Sequence, residues 1–600
     1  MKLSTMKGLL LLAGMTCSAA ALAAATLVQD VRVFDGKTVH ERRSVLLVDG
    51  VIADADFHGA APQGARIVNG AGKTLLPGLI DSHVHAWRYF ELPLVFGVTT
   101  QVDMFTPVPI MQEKARAMAS GQNHGEADLF SAGTLITAAG GHGTEYQVKI
   151  PTLEKAADAQ AFVDARIAEG SHFIKVVMEK GFGTFKFQSL DLATVKAVID
   201  AAHRRGKLAV VHVSNLEDAR AALEAGADGL AHLFMGNAIS AADADGLARL
   251  AKERGAFVIP TFSVLESFAG VQPRDILGDT GFAGLLDKEQ KASLATGYGK
   301  SPYSALLAAP KAVTAALRKA GVPVLAGTDS GNAGTQYGAS LHHEMAALVD
   351  AGLTPQEALA AATSAPAAAF RLGKRGRIEN GYKADLLLVD GNPAADIAAT
   401  RRIVEVWKDG ESTAPLVARQ RQHVTQELAQ PGKPLLPADG RISLLSDGKL
   451  ASPFGVGWTP SSDRMVGGTS TVKLDVRPDP AGHAVIALEG EVKPGFSFPW
   501  AGVAFIPGAK EMQSADLSSV KRIAFRVRGD GQRYQLMVMA RGMTYPRTVP
   551  FEAKADWAEV AVPLSAFEGL DPSGVTMVGF NAGPAPGGYR FEIADVRLLD

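Results

Sequence analysis

Residues 77–85 read Pro77-Gly78-Leu79-Ile80-Asp81-Ser82-His83-Val84-His85. An apolar run ends there in two histidines separated by one residue. In a strand, residues two apart point to the same side, so His83 and His85 can reach one metal ion together. A strand that buries Leu79 and Ile80 and then presents paired imidazoles fits a parallel barrel, whose chemistry is built at the C-terminal ends of its strands.

Working outward, apolar runs occur at 75–80, 97–104, 129–137, 173–178, 208–213, 229–233, 257–262 and 322–326. Amphipathic, alanine-rich stretches such as 156–168, 192–204, 217–225 and 240–253 separate most of them. Eight runs with helical crossovers predict an α/β fold, a closed parallel (β/α)8 TIM barrel over 77–375. Polar residues with ligating chemistry fall at the ends of these runs. Lys175 lies in the fourth, His212 ends the fifth and His232 ends the sixth, while Gly327-Thr328-Asp329-Ser330-Gly331 follows the eighth. Singly, each has an ordinary reading: a satisfied core histidine, a snorkelling lysine, an aspartate capping a helix. Their coincidence at strand ends favours a site, and imidazole with carboxylate suits zinc or a similar divalent ion.

The rest of the chain is organised around that barrel. Residues 26–76 and 376–412 alternate apolar and polar positions around turn-formers such as Asp35-Gly36 and Asp49-Gly50, which predicts a small composite flanking β-sheet. Residues 413–440 read as a linker ending in the proline- and glycine-rich QPGKPLLPADG. Beyond it, 441–600 carries short alternating runs and predicts a separate all-β domain. With 60 basic against 62 acidic residues the formal charge is −2, and no basic run appears, so nucleic acid is excluded as a partner. The single cysteine, Cys17, excludes a disulfide scaffold. Residues 1–25 combine two lysines, an apolar stretch and small-x-small sites ending at Ala23 and Ala25, the pattern of a cleaved signal peptide. Export to the periplasm is therefore expected, with an N-terminal anchor as the alternative. No later segment is apolar enough to span a bilayer.

PGLIDSHVH, the later histidines and TDSG at 328–331 resemble the amidohydrolase superfamily of metal-dependent hydrolases, in particular its prolidase-like and imidazolonepropionase-related members. LTPQEALAAATSAPAAAFRLG and GYKADLLLVDGNP, between 353 and 393, are similar to that family's closing helix and returning sheet. ITAAGGHG at 136–143 resembles the glycine-histidine loop after the third strand in exported dipeptidases. The resemblance implies that His83, His85 and Asp329 hold one divalent ion and that His212 and His232 hold a second. Lys175, carboxylated by carbon dioxide, would bridge them, with zinc the expected metal. A single-metal site beside an unmodified Lys175 is the competing expectation. It further implies attack by a hydroxide bridging the metals, proton transfer through Asp329 and polarisation of the substrate carbonyl with help from His142. Tyr146 is a candidate for a substrate carboxylate, and Trp87 and Arg88 for the pocket lining. The expected reaction is hydrolysis of an amide or peptide-like C–N bond in a small substrate, a dipeptide or N-acyl amino acid. Hydrolysis of an ester, lactone or cyclic amide is the alternative, and a non-catalytic binding or assembly role is a third.

The C-terminal residues resemble a second family, the complex I intermediate-associated protein domain, which implies a jelly roll. The likeness rests on Trp458, DRMVGGTS at 463–470, WAGV at 500–503, RVRGDG at 526–531 and Trp557 ahead of Val562-Pro563-Leu564. A glycan or protein ligand is one expectation for this domain; a structural appendage is the other.

Overall fold

The computed structural model describes residues 25–600 apart from 147, 182–185, 430–433, 435, 496–497, 511–512 and 544. The expected signal segment, 1–25, lies outside the described residues except for Ala25, which opens the first strand. Strands Leu79–Val84, Val98–Asp103 and Asp128–Ser131 pair in parallel. Ile174–Val177, Ala209–His212, Gly229–Ala231 and Phe257–Ile259 form a second parallel set. The sets meet at Ile136, whose amide donates to Lys175 O at 2.8 Å and whose carbonyl accepts from Val177 N at 3.0 Å.

Segment 322–330 completes the ring. Leu325 N donates to Val258 O at 2.9 Å, and Ser82 N to Ala326 O at 2.9 Å. Asp329 N then donates to His83 O at 2.7 Å and His85 N to Ser330 O at 2.7 Å. The eighth run was expected as a strand, yet it pairs only through isolated bridges. Pro323 has no amide to give a ladder, and the chain at Gly327 runs too close to its neighbour for a regular strand with side chains. A Cβ at Gly327 would lie 2.8 Å from His83 Cβ and 2.5 Å from Ile259 Cγ2.

Amphipathic helices cover the outside. In Leu192–Arg204 the buried Val195, Val198, Ile199 and Ala202 recur at helical spacing, and Asp191 caps the start by accepting from Thr194 N. Ala241–Arg254 starts at the Ser240 cap and ends at Gly255, which is left-handed.

The flanking sheet is composite, as its alternating pattern predicts. Ala25–Phe34 pairs with Val39–Val48 and, in parallel, with Lys73–Pro77, which pairs with Leu386–Asp390 and through it with Ile403–Lys408. Val31, Val45, Leu75, Leu386 and Trp407 fill its own core. It meets the barrel at a buried charge network. Asp128, on the third barrel strand, accepts from Arg375 at 2.6 Å and lies 3.2 Å from both Lys383 and Lys408; Lys408 also pairs with Asp385 and Asp409.

The linker reading over 413–440 is corrected in its first half. Ala414–Ala429 is a helix that buries Leu416 and Val424, and its Gln420 side chain donates to Leu285 O at 2.8 Å. The i, i+4, i+8 spacing of 416, 420 and 424 is what holds it to the barrel. Beyond it, two five-stranded antiparallel sheets share the core built by Val503, Phe505, Phe525, Phe580 and Phe591. That is the expected all-β domain. Among the described residues no helix is long and apolar enough to cross a membrane.

Candidate active site

The strand ends bring His83, His85 and Asp329 together, their ligating atoms all within 4.8 Å of one another. Nε2 of His83 and of His85 lie 3.3 and 3.0 Å from Asp329 Oδ1. The other predicted histidines continue the arc. Ring centroids are 4.6 Å apart for His83 and His232, 4.5 Å for His232 and His212, and 5.0 Å for His212 and His142. Lys175 points into the same space with only 3% of its surface exposed. Lys175, His212 and His232 thus stand beside the three-ligand group without belonging to it.

Four of these side-chain atoms are buried without a hydrogen-bond partner: both ring nitrogens of His83, Lys175 Nζ and Asp329 Oδ1. Leaving buried polar atoms unpaired costs about 1–3 kcal/mol each. A divalent cation would take up the lone pairs of one His83 nitrogen and of Asp329 Oδ1, and Lys175 would join them only once carboxylated, so the donor set fits a metal. The electrostatics agree. Burial, reinforced by Lys175, pushes His83 down to about 3, and burial pushes His212 down to about 4 and His232 well below its usual value. Neutral imidazole is the ligating form. Burial acts against the Asp329 carboxylate, but His83 and His85 outweigh it and hold its pKa well below the ordinary range. Burial also pushes the Lys175 amine down to about 7, against the pull of Asp329 and Asp103.

The remaining ring nitrogens are held by the scaffold. His85 Nδ1 lies 3.3 Å from Phe105 O, His232 Nδ1 2.8 Å from Thr261 Oγ1, and His212 Nε2 3.4 Å from Glu179 Oε2. In these three, one nitrogen is engaged and the other is left for the site. Backbone strain gathers here too. His232, Thr261 and Asp329 have φ of 70°, 57° and 57°, left-handed conformations that cost on the order of 1–3 kcal/mol each. Asp81 ties the first strand to the 328–330 segment. It accepts from Thr328 N at 3.0 Å, Thr328 Oγ1 at 2.7 Å and His83 N at 3.2 Å.

His142 and Tyr146 both sit at the site. His142 Nδ1 is 2.5 Å from Glu145 Oε1, and its ring lies 5.8 Å from Tyr146 and 5.3 Å from Phe187. The Tyr146 ring is 6.4 Å from His85 and 6.4 Å from Trp87, so Trp87 belongs to this wall. Arg88 does not. It turns to the surface and pairs with Glu289 at 3.0 Å.

Reasoning from sequence missed Glu179, Glu145, Thr261 and Tyr298. Tyr298 donates to Asn332 Oδ1 at 2.8 Å, and Asn332 donates to Asp329 O at 3.0 Å. None carries a local motif; only Glu179, a few residues after Lys175, was within reach of a closer look at the fourth strand end.

The amidohydrolase family model matches residues 74–418, and the model for Complex I intermediate-associated protein 30 (CIA30) matches residues 451–572. Ochratoxinase from Aspergillus niger is 26% identical over 367 residues, covering 58% of this chain and 68% of that protein. An uncharacterized protein of Mycobacterium tuberculosis is 27% identical over 318 residues, covering 48% of this chain and 73% of its own. Among solved structures, a Xaa-Pro dipeptidase with methionine bound in its active site superposes with a TM-score of 0.51 at 24% identity, over 65% of this chain and 99% of that one. The structure of A. niger ochratoxinase gives 0.51 at 21% identity, over 65% and 95%. At these identities the superpositions establish the barrel fold alone.

Proposed function

Because the chain belongs to the amidohydrolase family and is a metal-dependent hydrolase of carbon–nitrogen bonds, we propose that it cleaves an amide or peptide-like bond in a small substrate such as a dipeptide or N-acyl amino acid. The observation that carries the reading is the buried donor set at the strand ends, with orphaned atoms on His83, Lys175 and Asp329. His83, His85 and Asp329 would hold one cation and His212 and His232 a second, and Lys175 would serve as a ligand of both once its amine had added carbon dioxide and lost a proton. That change turns a group that repels cations into an anionic oxygen donor. Nitrogen and oxygen donors of this kind suit zinc.

Two divalent ions there would supply a water acidified towards neutrality and a positive field on the substrate carbonyl. The chain's own residues do the rest. Asp329, kept ionised by its histidine neighbours, accepts the proton of the attacking water and passes it to the departing amine, which leaves poorly without it. His142, whose Nδ1 donates to Glu145, polarises the substrate carbonyl by donating from Nε2, which takes a ring with both nitrogens protonated. Tyr146 and Trp87 close the wall beside it and limit water. Residues 1–25 support export to the periplasm, which N-terminal sequencing of secreted chain checks. The C-terminal domain, with its CIA30 match, is read as a module for a glycan or protein ligand, checked by a glycan-array screen of that domain.

The test is metal content per chain, measured on protein grown with bicarbonate, together with a Lys175→Ala variant. Two ions per chain, falling sharply in the variant, are expected, with turnover of dipeptides or N-acyl amino acids by the metal-loaded enzyme. One ion, unchanged in the variant, would overturn the bridged site.

A further inference from the structure

Glu179 lies two residues beyond the fourth barrel strand and is almost fully buried, with 3% of its surface exposed. Its Oε1 accepts from Gly181 N at 2.5 Å, which fixes the carboxylate against its own turn. Its Oε2 faces His212 Nε2 at 3.4 Å, its ion-pair contact among the described residues. The neighbouring cation, Lys180, is turned away to Asp218 at 3.3 Å. Nothing in the amidohydrolase reading gives Glu179 a task.

The carboxylate has a consequence for which nitrogen of His212 is free. With Nε2 directed at Glu179, the proton belongs on Nε2 and the lone pair on Nδ1. The outer contacts of His85 and His232 are made by their Nδ1, so His212 is the histidine turned the opposite way. It is also the one with a carboxylate behind it, since the other two are held by a carbonyl and a hydroxyl. An outer carboxylate fixes the tautomer and ring orientation of a ligating histidine and raises its basicity. Charge makes this matter on one side of the site more than the other. The His83–His85–Asp329 group contains its own anion, whereas His212 and His232 are neutral, and before carboxylation Lys175 adds no negative charge.

We propose that Glu179 is a positioning residue that holds His212 with Nδ1 towards the site and so controls occupancy of the second cation position. This rests on the two-cation reading above.

The experiment is titration of metal-free full-length chain with Zn2+ in competition with a chromophoric chelator. It is run on wild type, Glu179→Gln, His212→Ala and the double variant, with thermal melting of each metal-free chain as the folding control. In wild type two equivalents bind. In Glu179→Gln the first equivalent is unchanged and the second weakens by about 10–100-fold, the usual loss when an outer partner of a ligating histidine is removed. Added to His212→Ala, the Gln substitution changes nothing further, because Glu179 acts through that ring; a merely structural role would add its loss in either background. Two equivalents of unchanged affinity in Glu179→Gln, or a further loss in the double variant, would overturn the proposal and leave the two-cation reading intact. One equivalent in wild type would overturn both. If Glu179→Gln shifts the melting of the metal-free chain, Glu179→Asp serves in its place, and unaltered second-site affinity with the shorter acid would likewise refute the positioning role.

Discussion

Asp81 is the residue to perturb first, because it couples the first barrel strand to the segment that carries Asp329. Its carboxylate is fully buried and accepts three hydrogen bonds, two from backbone amides and one from the Thr328 hydroxyl. Asp81→Asn keeps an oxygen where Oδ1 accepts from Thr328 N and His83 N. Its amide then faces Thr328 Oγ1, which can turn its own hydrogen to Ser330 Oγ at 2.6 Å. Every group stays paired, so the cost is expected below about 1 kcal/mol. Asp81→Ala removes the acceptor for both amides in a site closed to water. At about 1–3 kcal/mol for each buried group left unsatisfied, the loss is roughly 2–6 kcal/mol. The Ala variant also loosens the 328–330 segment, which carries the strained Asp329. Urea midpoints and bound metal per chain, measured in parallel, separate the two effects. The Asn variant is expected near wild type in both, and the Ala variant low in both. Equal stability and equal metal content in the two variants would refute the coupling.

Three further outcomes follow from the same structure. Asp128→Asn removes the anion that Arg375, Lys383 and Lys408 share at the seam between barrel and flanking sheet, and is expected to cost about 3–5 kcal/mol; combined with Lys408→Met it should cost less than the sum by about 0.5–3 kcal/mol in a urea double-mutant cycle. Gly327→Ala forces a Cβ against His83 and Ile259 and is expected to cost about 1–3 kcal/mol in melting experiments, with loss of bound metal. His343 lies between Glu266 and Asp275 at 2.6 Å each, and although burial opposes its charge these bonds raise its pKa to about 10. A raised histidine contributes stability that is complete below about 6.5 and is lost as pH climbs towards 10. The urea midpoint should therefore fall across that window, and His343→Gln should flatten the fall. Glu344, which burial pushes up to about 8, adds to the fall, and Lys175, which burial pushes down to about 7, works against it.

The residues proposed to bear the chemistry were legible for a geometric reason. A barrel strand is short and apolar, so a histidine or aspartate at its end stands out, and period-two spacing says that His83 and His85 face one way. The flanking sheet was legible from alternation, although its strands lie more than 300 residues apart in the chain: Leu75 pairs with Leu388. The eighth strand was only half legible, because Pro323 and Gly327 replace a ladder with single bridges and the hydrophobic run does not reveal that. Helix Ala414–Ala429 was hidden by the proline-rich segment after it, though Leu416, Gln420 and Val424 carried its period.

The residues that aim the chemistry were not legible, and the reason is the same geometry seen from outside. A carboxylate that orients a ligand sits behind it, off the strand and on a turn, where an acidic residue is ordinary. Glu179 and Glu145 each occupy such a place, and nothing local separates them from a solvated acid or a helix cap. What separates Glu179 is burial against a ring nitrogen from the next strand, whereas Glu145, an exposed residue, meets His142 within its own loop. Thr261 is a sharper case. Its hydroxyl holds His232 Nδ1 only because both residues adopt left-handed backbone that their sequence neighbours do not announce. A ligand must carry a donor atom that few residue types possess, and so it is written in the alphabet. An aiming residue needs only to be in the right place, and place is what the closed barrel supplies.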